Sequence, residues 1–540
     1  MSTSQTEKVA NQDLGSGKSS FLVGSGILLS RIFGVVRTSV FNHFFGLTDA
    51  ADAFNAAFRI PNLLQNLFGE GVLSASFIPV YSALLARDDE EEAGRVAGAI
   101  ASLLALLLSA IVLVGVLASP WIIDFIAPGF QGPKRDLTIN LIRIFFPSIA
   151  LLVLSAWCLG ILNSHRKFFL SYSAPVLYNV AMIVTLIIFG PHRDTSKLAL
   201  ILAWGSVVGS ALQFGIQLPV VIRLVKRLHI ALGLQSGNVR SVVRSFVPVF
   251  ISRGVVQISA YIDLVLASFL GSGALSGLAN GQQLYTLPVS LFGMSVSAAE
   301  LPAMSSVLGT DAEIAAYLQK RLNAGLRQIA FLIVPSGMAF LVLGDVIAAA
   351  IYQSGKFTHE DSVYVWAILA GSTVGLLAST MGRLYSSTYY ALRDTKTPLR
   401  YAVIRVLLTT VLGYLFAIHL PGILHIDQSW GAAGLTSSAG IAGWLEFSLL
   451  RRTLNKRIGQ TGLPLALAFK LWSSAAAGAA CGFAIKYFLS HHTPIQNRII
   501  VAVLVLGPYG LIYFGVTALL GVPEIHTVLS QFTRRLNRRK

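Results

Sequence analysis

The sequence has little charge for its length. Only 12% of its 540 residues are Asp, Glu, Lys or Arg, whereas 54% are hydrophobic. The charged share is about half that of an average soluble protein. So few charges cannot cover the surface of a soluble chain of this size. This excludes a soluble globular enzyme, a disordered chain and a fibrous protein.

Cysteine and acidic residues are also scarce. The two cysteines, Cys158 and Cys481, lie in apolar segments, which excludes a disulfide framework. The ten histidines show no metal-ligand spacing, so no metal site or cofactor is predicted. Residues 1–20 are polar and show no cleavable signal peptide. The net charge of +17 comes from short basic clusters between apolar segments, which is typical of cytoplasmic loops rather than of nucleic-acid binding.

Apolar runs long enough to cross a membrane fill most of the chain. A transmembrane helix needs about 20 mostly apolar residues, and fourteen such segments can be placed. They predict an all-α polytopic membrane protein with about 14 transmembrane helices. The segments are 21–45, 54–85, 95–125, 137–163, 169–190, 198–224, 243–270, 274–308, 322–352, 362–390, 399–421, 431–450, 466–489 and 498–521.

The distribution of lysine and arginine predicts the orientation. If the N-terminus is cytoplasmic, the inside connections carry roughly four times as many basic residues as the outside ones. The pairs Arg166-Lys167 and Arg451-Arg452 both fall inside, as does the basic tail from Arg534 to Lys540. Both termini are therefore predicted to be cytoplasmic.

An internal repeat divides the predicted helices into two lobes. Leu67-Phe68-Gly69 in the second segment recurs as Leu291-Phe292-Gly293 in the eighth. An offset of six segments keeps the orientation, so the lobes are predicted to be parallel six-helix bundles, an arrangement suited to alternating access. Two C-terminal helices stand outside the repeat. The predicted divisions are an N-terminal tail 1–20, an N-terminal lobe 21–224, an amphipathic linker 225–242, a C-terminal lobe 243–450, two extra helices 451–521 and a basic tail 522–540.

Charged residues inside the spans are the candidates for a binding cavity. A charge in hydrocarbon is costly unless it faces a partner or water. Arginine binds phosphate with a planar two-pronged fork, so we predict a cationic cavity for an anionic head group. Alternatively, the arginines of the first segment snorkel to an interface or pair with nearby acids. The cavity candidates are Arg31, Arg37, Arg59, Glu70 and Arg253.

Other residues in the spans have different predicted roles. Asp263 lies deep in the seventh segment with no partner apparent in the sequence, which makes it a candidate cation or proton site. Gly34 permits a bend between the two arginines, and Asp52 is a candidate helix cap or structural partner. Pro61 and Pro288 predict kinks. Four further charges are interpreted as structural pairs or helix-end anchors: Glu300, Arg383, Arg405 and Glu446.

Several motifs occur along the chain, beginning with Ser30-Arg31-Ile32-Phe33-Gly34-Val35-Val36-Arg37. The others are Asp52–Phe54, Phe58–Leu64, Phe68–Gly71, Ala75–Val80, Leu287–Pro302 and Leu392–Pro398. Together they resemble the MurJ/MviN family of lipid II flippases, within the MATE-like exporter superfamily. The resemblance covers essentially the whole chain and is strongest in residues 25–85.

The resemblance implies that helices one, two, seven and eight line a cationic cavity and that helices thirteen and fourteen form a groove for a lipid tail. The family's arginines fall on Arg31 and Arg37, a basic residue on Arg59, and its acids on Asp52, Glu70 and Asp263. Gln65 and Gln283 occupy cavity positions where the family has arginine. Thr38 and Thr286 replace family acids. Asn62 and Asp394 lie in matching motifs and are expected to be structural or gating residues.

The expected function is the flipping of undecaprenyl-diphosphate-linked lipid II across the bacterial inner membrane, with no covalent change. Its expected driving force is membrane potential, a monovalent cation or proton, or consumption of the product outside. The expected partners are the lipid precursor, membrane lipids and proteins of cell-wall synthesis or division. The alternatives are a flippase for another polyprenyl-linked glycan, a cation-coupled small-molecule exporter and an inactive structural partner. A membrane glycosyltransferase is disfavoured, because the only acidic cluster is Asp88–Glu92.

Overall fold

The computed structural model describes residues 25–26, 28–225, 229, 231–233, 235–492, 495 and 497–525. These residues form helices joined by short connections, and none of them lies in a strand. The predicted tail 1–20 and most of the basic tail 522–540 lie outside the described residues. The chain divides into two compact units, Met1–Phe269 and Leu270–Lys540, which we call the N-terminal and C-terminal units.

The N-terminal unit contains nine described helices. Several meet at short turns, such as the single residue Gly69 between the second and the third. The helices are α1 (28–45), α2 (Asp49–Phe68), α3 (Glu70–Ala86), α4 (Glu90–Ile126), α5 (Gly132–Ser164), α6 (Phe168–Ser173), α7 (Pro175–Phe189), α8 (Thr195–Val225) and α9 (Gly237–Ser268).

The C-terminal unit is built in the same way, with two short π-helical turns at Val289–Met294 and Leu415–His419. Its described helices are α10 (Ala274–Pro288), α11 (Ser295–Ser305), α12 (Asp311–Tyr352), α13 (His359–Ala391), α14 (Lys396–Tyr414), α15 (Leu420–Ile423), α16 (Gly431–Ile458), α17 (Leu465–His492) and α18 (Arg498–Leu519).

Within the described residues, each of the fourteen predicted spans overlaps a helical segment, and the prediction of an all-α polytopic membrane protein is confirmed. Eleven segments in the described chain are long and apolar enough to cross a membrane. The other three predicted spans correspond to α1, α9 and α16. The division into lobes at 224 and 243 stays a prediction. The compact units divide after Phe269, because α9 packs against α2, α3 and α4.

The repeated Leu-Phe-Gly motif marks an interruption of a span in each unit. Gly69 separates α2 from α3, and Gly293 lies in the π-helical turn between α10 and α11. A Cβ atom on Gly69 would lie 2.2 Å from the Gln65 carbonyl oxygen, and one on Gly293 would lie 2.2 Å from Cγ2 of Thr380. Glycine is therefore needed at both breaks, which supports the internal repeat.

We expect Gly69→Ala to lower the free energy of unfolding by about 1–3 kcal/mol, because the new methyl group collides with backbone. Thermal unfolding of the purified chain in detergent measures this change. The matched control is Gly34→Ala in α1, where an added Cβ meets no atom within 4 Å. Alanine favours a helix over glycine, so this control should raise stability by about 0.5–1 kcal/mol. Equal stability of the two variants would contradict the steric argument.

Helix α18 packs on α12 where a proline interrupts its hydrogen bonds. Pro335 has no N–H, so the Phe331 carbonyl loses its helical donor. The Tyr513 hydroxyl of α18 donates to this carbonyl at 2.6 Å, and both rings are buried. The hydroxyl of Tyr509 donates to the Pro335 carbonyl one turn away. The two tyrosines thus position α18 against the part of α12 where Pro335 interrupts the hydrogen bonds.

Tyr513→Phe should lower the free energy of unfolding by about 1–3 kcal/mol, because it leaves the Phe331 carbonyl without a donor inside the bundle. The control is Tyr487→Phe in α17, whose exposed hydroxyl has no hydrogen-bond partner in the described chain. The control should melt like the wild type. If both variants melt alike, the hydroxyl of Tyr513 contributes nothing to the docking of α18.

Candidate functional site

The two arginines of α1 have different environments. Arg31 is exposed, whereas Arg37 is half-buried. The Arg37 guanidinium carbon lies 5.3 Å from the centroid of the Phe58 ring in α2. Its Nη1 atom lies 4.0 Å from the sulfur of Met182 in α7. Arg37 therefore points among the helices of the N-terminal unit, where a positive charge can act on an anion in a low-dielectric setting.

Arg59 of α2 and Asp263 of α9 come together in the structure. Both are half-buried, and they interact electrostatically, as Arg59 does with Tyr261 on the same helix as Asp263. The sequence showed no partner for Asp263, because the two residues are far apart along the chain. An oppositely charged residue nearby reduces the cost of each charge inside a membrane protein. The pair joins two of the helices expected to line the cavity.

Asp52 lies at the start of α2 in an ion-pair cluster. Thr48, not Asp52, caps the helix: its hydroxyl accepts a hydrogen bond from the Ala51 N–H at 3.3 Å. The buried Asp52 carboxylate instead pairs with Lys134 Nζ at 2.8 Å, and Lys134 also pairs with Asp49 at 2.8 Å. Lys134 lies in the first turn of α5, and its Nζ atom is 4.4 Å from the centroid of the Phe130 ring. The sequence analysis missed this contact, because Asp52 and Lys134 are far apart along the chain.

The remaining candidates of the N-terminal unit lie on α1 to α3 and α9. Pro61 is buried inside α2, Asn62 is exposed and Gln65 is half-buried. Glu70 begins α3, and Arg253 lies within α9. The side chains of these last two lie outside the described part of the structure, so their cavity roles stay predictions.

The candidates of the C-terminal unit occupy a helix end and a loop. Gln283 is half-buried on α10, and Pro288 ends that helix before the π-helical turn. Asp394 accepts hydrogen bonds from the Thr397 N–H at 3.0 Å and its hydroxyl at 2.8 Å, and pairs with Arg457 at 2.8 Å. These contacts, the Thr397 N–H first, hold the pKa of Asp394 below its ordinary value. They support a structural role for Asp394 between the α13–α14 loop and the end of α16.

The described residues contain no cluster of three or more His, Cys, Asp or Glu side chains that could hold a metal ion. What the site offers instead is arginine inside membrane-spanning helices, together with amides and carboxylates. Such residues can bind and release an anionic group.

Two solved structures share this fold. A lipid II flippase MurJ in an inward closed conformation matches with a TM-score of 0.75 at 24% identity, covering 93% of this chain and 98% of that chain. An inward-facing MATE-family multidrug transporter of the MOP superfamily matches with a TM-score of 0.61 at 14% identity, covering 79% and 95%. The chain is therefore a polytopic membrane protein with the MATE-like fold.

Sequence comparison identifies the family within this class. The family model for lipid II flippase MurJ matches residues 41–505. A lipid II flippase MurJ from Burkholderia cenocepacia is 32% identical over 436 residues, covering 80% of this chain and 82% of that protein. A probable lipid II flippase MurJ from Rhizobium tropici is 31% identical over 535 residues, covering 95% of this chain and 96% of that protein. The chain belongs to the MurJ family of lipid II flippases. It is a multi-pass transporter of the bacterial inner membrane, not an enzyme.

Proposed function

We propose that this chain moves lipid II, the undecaprenyl-diphosphate-linked peptidoglycan precursor, from the cytoplasmic to the periplasmic leaflet by alternating access. The observation that carries the proposal is the match to the MurJ family along residues 41–505. The arginines inside the spans supply a physical reason, since a diphosphate crossing hydrocarbon needs positive charge around it. The other candidate transport functions have no comparable support.

The diphosphate would be bound mainly from α1 and α2. Arg31 is exposed and accessible to a head group. Arg37 lies deeper beside Phe58, which limits the orientations of its guanidinium fork. Gln65 and Gln283 would donate amide hydrogen bonds to phosphate or sugar without adding charge. We include Arg59, Glu70 and Arg253 in the cavity on their positions in the helices.

Net transport in one direction needs a driving force, and we propose membrane potential or cation coupling. Asp263 is the candidate cation site, and it interacts electrostatically with Arg59. A monovalent cation bound at Asp263 would therefore have to compete with a guanidinium that the protein itself supplies. This competition favours membrane potential over a permanently occupied cation site. It also offers a means of coupling, since release of Arg59 from Asp263 would strengthen its attraction to the diphosphate.

The topology and partners complete the proposal. Both termini would be cytoplasmic, as the positive-inside pattern predicts. The undecaprenyl tail would lie along α17 and α18 among membrane lipids while the head group crosses. Delivery of lipid II to the outer leaflet would place the chain beside proteins of cell-wall synthesis or division.

Reconstitution in liposomes tests the proposal. Fluorescent lipid II is placed in both leaflets with the purified chain, and a membrane-impermeant quencher reports its exchange between leaflets. We expect exchange of lipid II with the wild type, and slower exchange of a polyprenyl-diphosphate carrying an unrelated glycan. Exchange of the unrelated glycan alone would favour the alternative lipid-linked substrate. Export of a small cationic dye without lipid exchange would favour a cation-coupled exporter.

A further inference from the structure

A second group of charges lies inside the spans of the C-terminal unit. Arg383 is in α13, Arg405 in α14 and Glu446 in α16. Each lies about two to three helical turns from the end of its helix that the positive-inside pattern places in the cytoplasm. The three residues therefore occupy a similar depth in the membrane. The sequence analysis interpreted them as structural pairs or helix-end anchors.

The structure pairs only two of the three. Arg405 Nη1 lies 3.2 Å from Glu446 Oε2, with the carboxylate side chain 15% exposed and the Arg405 side chain 37% exposed. Glu446 also interacts electrostatically with Arg383, but no ion pair to Arg383 occurs among the described residues. Arg383 is exposed. Two guanidinium groups thus share one carboxylate, and the group keeps a surplus positive charge.

Helix α10 contributes a polar group, the Tyr285 hydroxyl, beside the two arginines. The Tyr285 hydroxyl is 2.7 Å from the Ser379 hydroxyl of α13, and Tyr285 interacts electrostatically with Arg383 and Arg405. Because each hydroxyl carries one proton and their mutual hydrogen bond uses one of the two, at most one of them can donate to an oxyanion. Four helices of the C-terminal unit, α10, α13, α14 and α16, therefore bring polar and positive groups together at one depth.

A purely structural role explains the Arg405–Glu446 pair but not Arg383. An arginine within a span is costly, and such residues mark binding sites or pathways when no partner neutralises them. We propose that Arg383 and Arg405, with Arg405 oriented by Glu446, form an anion-binding site within the C-terminal unit that takes a phosphate ester or diphosphate. The planar guanidinium fork matches the phosphate oxygens.

Two lipids carry the required group. One is the diphosphate of lipid II, and this assignment rests on the proposed function. The other is the phosphate head group of an acidic phospholipid from the cytoplasmic leaflet. Both present phosphate oxygens that a guanidinium group can bind, so the experiment must separate them.

Binding to the purified full-length chain in detergent tests the site. The probes are undecaprenyl diphosphate, phosphatidylglycerol and inorganic pyrophosphate, and native mass spectrometry counts the bound molecules. We expect Arg383→Gln to weaken binding of undecaprenyl diphosphate by about tenfold or more, and Arg383→Lys to weaken it less. The matched control is Arg452→Gln, an exposed arginine near the end of α16. It should bind like the wild type.

The outcomes separate the site from the proposed function. If Arg383→Gln keeps the wild-type melting temperature and binds all three probes normally, the site is refuted. A loss confined to phosphatidylglycerol supports the site and assigns it to phospholipid, whereas competition by pyrophosphate supports the diphosphate. If the wild type binds the probes through Arg383 but does not exchange lipid II in liposomes, the proposed function fails and the site stands. If it exchanges lipid II and the variant binds normally, only the site fails.

Discussion

Replacing Lys134 by Met should lower the free energy of unfolding by about 3–5 kcal/mol, the typical cost of leaving a buried charge without its partner. The Asp52 side chain is only 1% exposed, and Lys134 lies 2.8 Å from its carboxylate. Methionine keeps most of the lysine stem but removes the charge. Equilibrium unfolding of the purified chain in mixed micelles measures the loss. Asp52→Asn should restore part of the stability of Lys134→Met, because it removes the unpaired charge.

Asp49, the second partner of Lys134, provides the control. Asp49 also lies 2.8 Å from Lys134, but its side chain is 62% exposed. Asp49→Asn should therefore change the free energy of unfolding by less than about 1 kcal/mol, as exposed ion pairs usually do. If Asp49→Asn is as destabilising as Lys134→Met, burial does not decide the strength of these pairs and the account of the α2–α5 contact is wrong.

Arg37→Ala should slow lipid II exchange in liposomes by at least about 30-fold, equivalent to about 2 kcal/mol of lost stabilisation of the crossing head group. Arg37 is half-buried beside the Phe58 ring. An exposed arginine therefore cannot supply positive charge at the same position. Arg37→Lys should lie between the wild type and Arg37→Ala. Lysine keeps the charge but loses the planar fork and the stacking on Phe58.

Arg193→Ala is the control for this second result. Arg193 is exposed in the connection between α7 and α8, so its removal changes the net charge without touching the candidate cavity. Its exchange rate should equal that of the wild type. A wild-type rate for well-folded Arg37→Ala would remove Arg37 from the transport pathway and leave the head group to other residues.

The helices could be predicted from the sequence because membrane spans are local features. Each span needs only a long apolar run, and the length of that run identifies a membrane-spanning helix and gives its approximate ends. The recurrence of the Leu-Phe-Gly motif in the two halves could also be predicted, but the breaks at Gly69 and Gly293 could not, because the sequence analysis placed 54–85 and 274–308 as single spans. The alternation of basic residues between the connections then supports the number of spans.

The partners of the charged residues could not be predicted in the same way. Lys134 meets Asp52, and Arg59 meets Asp263, only after distant helices pack together. Helical periodicity says which face a side chain occupies, but not which helix covers that face. For this reason the sequence analysis identified the charged positions but found no partner for Asp263.

The most direct test of the central claim is replacement of an essential lipid II flippase in a bacterial host. The native flippase is depleted, this chain or its Arg31→Ala variant is expressed at equal membrane levels, and lipid II reaching the outer leaflet is measured. We predict that the wild type restores outer-leaflet lipid II and growth, and that Arg31→Ala does not. Failure of the well-expressed wild type to deliver lipid II, or equal delivery by Arg31→Ala, would contradict lipid II flipping through the cationic cavity.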